Sequence, residues 1–166
     1  MGGLTRVIVG VSGTPGSLPA LRYAAMVART YDATLIPVHA WIPPGGDLAD
    51  RRCPSAYLRR IWSDEARQRL KEALNIAWGA EMTEVDVRPV VLRGHAGPAL
   101  VDLAAADDML VIGGGRHGLL SRIWHGQVSR YCLAHAPCPV LAVPPPALDH
   151  TSVRSVLRAA SSSSAH

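Results

Sequence analysis

The sequence contains no phenylalanine, and lysine supplies only one of its 17 basic residues. A core for this chain must therefore come from Val, Leu, Ile and Ala with a few Trp and Met side chains, all of which pack well. Cys53, Cys132 and Cys138 are too few for a disulfide framework, and no CxxC pair occurs. Cys132, His135 and Cys138 do form a C-x-x-H-x-x-C string. It runs into an apolar strand and has no strong fourth ligand, so helix-end and core roles are expected over zinc. No apolar run reaches the ~20 residues that a membrane helix needs, and the opening MGGLTRVIVGVSG holds no stretch suited to a secretory signal. A soluble cytoplasmic protein is the expectation. The net charge of +4 is spread along the chain and interrupted by acidic residues. It forms no coherent positive footprint, so neither nucleic acid nor a membrane is an expected partner.

What is present is an alternation of apolar and helical segments over 166 residues, enough for one sizeable core. Arg6–Val11, RVIVGV, is almost continuously apolar, as befits a strand buried on both faces. The turn-forming SGTPGS leads to a helix over Ser17–Tyr31, where Leu18, Leu21, Ala25 and Ala28 recur near helical spacing. Ala33–Trp41 reads as a second strand, with Pro37 as an objection to regular central pairing because it lacks an amide donor. Residues 43–55 read as the one long irregular segment, either mobile or folded over a cleft. A helix over Tyr57–Trp78 comes next, then a strand over Glu84–Leu92, a short helix over Pro98–Ala106 and a strand over Met109–Ile112. A helix over Leu120–Ala134 and a strand over Pro139–Val143 complete the series. Five strands alternating with four helices predict an α/β fold: one mostly parallel sheet with helices on both faces. The domain is expected to span residues 1–146, with a weakly ordered tail over 147–166 that contains a short helical stretch, VRSVLRAA.

Ligands of open parallel sheets meet the carboxyl ends of the central strands. Two glycine-bearing turns are predicted there, Gly10–Ser17 and Gly113–Gly118. Gly113, Gly114 and Gly115 permit close backbone approach, and successive amides can cradle a phosphate where a helix begins. Gly126, Gln127 and Ser129 offer a second turn of donors. The plainer alternative is a strand-to-helix turn with close helix packing. Arg116 either faces phosphate or stays in solvent, and Trp41 either borders a base or packs at the rim. The P-loop sequence is absent. Ser12, Ser121 and Ser129 lack a nucleophile-elbow context, and no paired carboxylates stand ready for magnesium in the second block. The last strand is expected at a sheet edge, which needs pairing or cover.

Residues 4–144 resemble the universal stress protein family in RVIVGVSGTPGSLPALRYAA, in the strand spacing, in GHAGPALVDLAAADDMLVIG and in HGQVSRYCLAHAPCPVLAV. The resemblance implies strand order 3-2-1-4-5. It also implies a symmetric homodimer through the last strand, with Leu141, Ala142 and Val143 as interface candidates; a monomer with the tail over that edge is the alternative. Members of the ATP-binding branch carry an acidic residue after strand one and G-x-x-G-x9-G-S/T after strand four. Here Ser12 stands at the acidic position. Gly113 and Gly126 match the first and third glycines, Arg116 replaces the second, Gln127 replaces the small hydroxyl residue, and Ser129 matches a second serine. The expected function is a non-catalytic stress-response or signalling domain. Its small-ligand cleft is assigned to Ser12, Gly113, Gly114, Gly115, Arg116, Gly126, Gln127 and Ser129. The alternative is an adenine-nucleotide-binding stress protein that takes ATP and hydrolyses it weakly; an anionic or polyhydroxylated small molecule is a third ligand class.

Overall fold

A computed structural model describes residues 3–13, 15–79, 84–113 and 126–144. Five strands are laid down in chain order: β1 (Arg6–Gly10), β2 (Thr34–Trp41), β3 (Val90–Arg93), β4 (Asp108–Gly113) and β5 (Val140–Val143). They form one all-parallel sheet in the order β3-β2-β1-β4-β5. The helices are α1 (Leu18–Tyr31), α2 (Gly46–Arg52), α3 (Ala56–Trp78), α4 (Ala96–Leu103) and α5 (Gln127–His135). Among the described residues, no helix is long and apolar enough to cross a membrane. The tail beyond residue 144 lies outside the described residues.

The central strand explains why the sheet is covered twice. Val7, Ile8 and Val9 are all fully buried, because successive side chains of a strand point to opposite faces. Val7 and Val9 pack with Leu21, Ala24 and Ala28 of α1 and Leu70 and Ala73 of α3. Ile8 packs on the other face with Leu100 of α4 and Cys132 of α5. Alanine at most of the buried α1 positions lets that helix lie close against the strands. The helix stops at Asp32, whose φ of 51° is left-handed and whose amide donates to the Ala28 carbonyl; a short polar side chain tolerates that conformation. The Ser55 hydroxyl accepts from the Leu58 amide at 3.3 Å and starts α3.

Two sequence-based boundaries differ from the structure for identifiable reasons. The strand expected over Glu84–Leu92 is regular only from Val90, preceded by an isolated bridge between Leu35 and Val87. Leu35 donates to the Asp86 carbonyl and accepts from the Arg88 amide, so odd-numbered residues of β2 turn their amides toward β3. Pro37 is next on that side and has no amide to give, and the ladder resumes at Val38↔Val90. Proline is thus accommodated by a lapse in pairing on one side while β2 stays paired with β1 at Val9↔Pro37. The stretch expected to be irregular, residues 43–55, contains α2. Its carboxylates are held from outside. Arg93 at the end of β3 donates to Asp47 at 2.9 Å and to buried Asp50 at 2.8 Å, and Arg59 of α3 lies 3.5 Å from Asp50.

Candidate functional site

Chain order dictates where a site can form. β1 leads through α1 to β2 on one side, whereas α4 leads to β4 on the other side of β1. The carboxyl ends of β1 and β4 therefore flank the point where the winding reverses, and a crevice opens there. A cavity of about 430 Å³ occupies this position. Its floor is made by the strand ends at Gly10, Ala40 and Gly113, and its walls by Leu100 of α4 and Val128 of α5.

One end of each of the two turns lines this cavity. Ser12, after β1, and Gly113, at the end of β4, both line it, as do Gly126, Gln127 and Ser129 at the start of α5. Gly114, Gly115 and Arg116 lie outside the described residues. The close approach rests on glycine. A Cβ at Gly113 would stand 3.3 Å from the Gly16 carbonyl oxygen, and one at Gly10 would stand 3.0 Å from Leu100 Cδ1. Gly13 turns the chain away from the cavity with φ of 72°, a conformation that side-chain-bearing residues resist.

Three helices begin at the cavity: α1 through Gly16 and Ser17, α4 through Ala96, and α5 through Gly126. A helix start carries backbone amides without intrahelical partners and the positive end of the helix dipole. The caps of α4 and α5 are His95 and Gly126, and neither gives its helix a side-chain cap. Among the described residues the cavity lining contains no Lys, Arg, Asp or Glu. Its polarity comes from these amides and from serine, glutamine and histidine side chains, which suits an anion held by hydrogen bonds next to an apolar group. Ser129 is buried, and its hydroxyl lies close to Gly126.

Several wall residues carry no signal in the sequence. Leu100, Ala96 and Val128 are ordinary apolar helix positions, and only the fold reveals that they face a ligand-sized space. His39 has the pattern of a plain strand-end residue; it is buried at the cavity and donates from Nδ1 to the Val11 carbonyl at 2.7 Å. Trp41 ends β2 beside Arg93 in the register and is outside the cavity lining. Asp107 and Asp108 sit at the opposite, amino end of β4. A second cavity of about 320 Å³ lies between α1 and the end of α3. Its cations are engaged locally, Arg22 with the Ala77 carbonyl and Arg29 with Glu84. No group of three or more metal-ligating side chains occurs among the described residues.

Comparison with known proteins identifies the family. A universal stress protein of Mycobacterium tuberculosis is 29% identical over 140 residues, which cover 82% of this chain and 46% of that one. This chain thus spans about half the length of that relative. A Thermus aquaticus universal stress protein is 26% identical over 139 residues, covering 82% of this chain and 96% of its own length. Among solved structures, a universal stress protein in complex with cAMP is 27% identical with a TM-score of 0.51, covering 85% of this chain and 97% of that one. A universal stress protein from Archaeoglobus fulgidus, 21% identical with a TM-score of 0.59 over 83% of this chain and 97% of that one, shares the fold. The model of the universal stress protein family matches residues 3–144, and the chain belongs to that family.

Proposed function

We propose that the chain is a non-catalytic binding domain whose cleft takes a small nucleotide-like anion and signals its presence through association. The observation that carries this reading is the start of α5 at the cavity. Gly126, Gln127 and Ser129 bring uncapped amides to a space that Ser12 and Gly113 border from the other side. A phosphate fits such amides without a side-chain cation, and the apolar wall of Leu100, Ala40 and Val128 suits a base. The 27% identical structure in complex with cAMP supports the same class of ligand.

Within this reading the nucleotide motif is a departed form of the ATP-binding one. Serine at position 12 donates or accepts a hydrogen bond but brings no carboxylate charge. Arg116 stands where a glycine would spare space, and Gln127 is longer than the hydroxyl residue it replaces. Phosphoryl transfer needs a positioned nucleophile and charge stabilisation on the leaving oxygens. A described lining without Lys, Arg, Asp or Glu therefore favours binding over hydrolysis. Isothermal titration with cAMP, AMP, ADP and ATP, with and without magnesium, tests the reading. Saturable heat for at least one of them supports it, and none at millimolar ligand rejects it. Phosphate release that tracks the purified protein and is lost on changing Ser129 would favour the hydrolytic alternative.

The same proposal includes a homodimer through β5. This strand is the sheet edge beyond β4, and Leu141, Ala142 and Val143 are only half-buried. An open strand edge presents unpaired amides and carbonyls that a second copy can satisfy. Light scattering decides between one copy and two, and Ala142→Pro, which removes an edge donor, is expected to shift a dimer toward monomer.

A further inference from the structure

We propose that His39 is the positioning residue of the cleft: its ring fixes the turn that carries Ser12, and through that turn sets ligand affinity. The affinity part of this inference rests on the binding reading above; the positional part does not. The last backbone register pair between β1 and β2 is Gly10↔Val38. One step further, the Val11 amide donates to the Val38 carbonyl at 2.8 Å, and the Val11 carbonyl accepts from His39 Nδ1 at 2.7 Å. Both backbone groups of Val11 are therefore committed to consecutive residues of β2. Since a carbonyl only accepts, Nδ1 carries the hydrogen. The ring continues the strand pairing past the end of β1, at a point where the chain is about to leave the sheet.

Immediately after Val11 the chain reaches the edge of the site. Ser12 lines the cavity, and Gly13 turns away with its left-handed φ of 72°. The ring also backs this turn: a Cβ on Gly13 would lie 3.9 Å from His39 Cε1 and 3.7 Å from the Arg69 Cβ of α3. His39 is 6% exposed and Val11 4% exposed, so the bond between them is shielded from competing water. Removing its donor leaves a buried carbonyl unsatisfied, and a segment that must seek another partner moves. The segment that responds is the one bearing Ser12, because β1 itself is held by β2 and β4 on either side.

The test compares His39→Leu, which fills the space without a donor, with His39→Asn, whose amide nitrogen lies near the position of Nδ1. His39→Gln serves as a polar control with its donor one bond too far. Each is titrated with cAMP and AMP, and amide exchange is followed over residues 10–17 and through β4. We expect H39L and H39Q to weaken binding about fivefold to tenfold, the scale of one buried hydrogen bond, and H39N to recover most of it. The Val11 amide, which donates to the Val38 carbonyl beside the lost bond, should exchange at least several-fold faster in H39L and H39Q while β4 is unchanged. In a Ser12→Ala background, H39L should add less than its full penalty. Wild-type affinity in H39L or H39Q, or a full and additive penalty in the Ser12→Ala background, would overturn the proposal. If the wild type binds none of cAMP, AMP, ADP and ATP, the binding reading fails and exchange alone decides: faster Val11 exchange upholds the positional role, and unchanged exchange overturns it.

Discussion

Arg6 and Asp108 face each other at the amino ends of the two central strands, joined by Arg6 Nε donating to Asp108 Oδ1 at 2.8 Å and a second bond through the other guanidinium nitrogen. The Asp108 side chain is fully buried, and its Oδ2 also accepts from the Ala105 amide at 2.7 Å. Burial pushes this carboxyl up, but the Arg6 hydrogen bond, the Ala105 amide and the Arg6 charge together hold it below the ordinary carboxylate range. A carboxyl with a depressed folded-state pKa stabilises the native chain above the unfolded value, about 3.9. That contribution is lost as pH falls through the lower folded value. Asp108→Asn should cost about 2–3 kcal/mol at neutral pH, less than the roughly 3–5 kcal/mol for breaking a fully buried pair because Arg6 is partly exposed. Urea melts at stepped pH should show the difference between wild type and variant shrinking below pH 4. Ligand binding should be unaffected in the folded variant, because the pair lies at the end of the sheet away from the cleft.

The three thiols should separate cleanly by reactivity. Cys132 and Cys138 are buried in the face covered by α4 and α5, whereas Cys53 is exposed. Burial, and secondarily the neighbouring Cys138, pushes the Cys132 thiol up to about 11, and burial likewise raises Cys138. A disulfide reagent needs an accessible thiolate. One thiol per chain should react in the native protein at pH 8, and three after denaturation. The linkage has the opposite sense to that of Asp108. The unfolded chain ionises these thiols first, so their contribution is full below about pH 9 and is lost as pH rises toward about 11. A second fast-reacting native thiol would contradict this burial.

The legible parts of the molecule are those fixed by local pattern. RVIVG reads as a doubly buried strand, and the Leu21, Ala25 and Ala28 spacing marks one face of α1. The meeting of Ser12 with Gly113 is a consequence of the parallel order, since each turn leaves a central strand at the same end. The features hidden from the sequence depend on contacts between distant segments. The helix at Gly46–Arg52 begins at the last glycine of PPGG, has no useful apolar period and is tied down by Arg93 and Arg59. The shortening of β3 needs the register that sets Pro37 against it. His39 is indistinguishable from any strand-end histidine until its partner is known to be the Val11 carbonyl.

That dependence of α2 on distant cations is itself testable. Arg93 bonds both Asp47 and Asp50, while Arg59 lies 3.5 Å from Asp50 without a hydrogen bond. Arg93 therefore supplies the directed contacts and Arg59 mainly charge. Arg93→Ala should loosen α2 without unfolding the sheet, because Arg93 is the last residue of β3 and exposed. Limited trypsin digestion should cut after Arg51 or Arg52 at least several-fold faster in this variant, and Arg59→Ala should have the smaller effect. Leaving buried Asp50 with one partner also carries a stability cost of about 1–3 kcal/mol. Equal cutting rates in wild type and Arg93→Ala would mean that α2 is held by its apolar contacts instead.

Gly113 offers the sharpest steric probe of the cleft. It ends β4 where the Gly16–Ser17 backbone passes, and an added Cβ would meet the Gly16 oxygen at 3.3 Å, Ala20 Cβ at 3.6 Å and Ser17 Cα at 3.7 Å. The two longer contacts are ordinary packing; the first is with a backbone atom at the start of α1, which can give way only by shifting the turn. Gly113→Ala should thus destabilise by only about 1 kcal/mol and yet displace the α1 side of the cavity by a few tenths of an ångström. Gly10→Ala presents a similar closeness, 3.0 Å, but to Leu100 Cδ1, the flexible end of a side chain that also lines the cavity. That methyl group can rotate, so Gly10→Ala should narrow the apolar wall and leave the turn in place. The two variants should therefore differ in kind when titrated with AMP and with adenosine: Gly113→Ala weakening AMP more than adenosine, Gly10→Ala weakening both alike. The contrast holds only if phosphate lies between Gly113 and the start of α5 and the base lies against Leu100; equal losses in both variants for both ligands would reverse or erase that orientation.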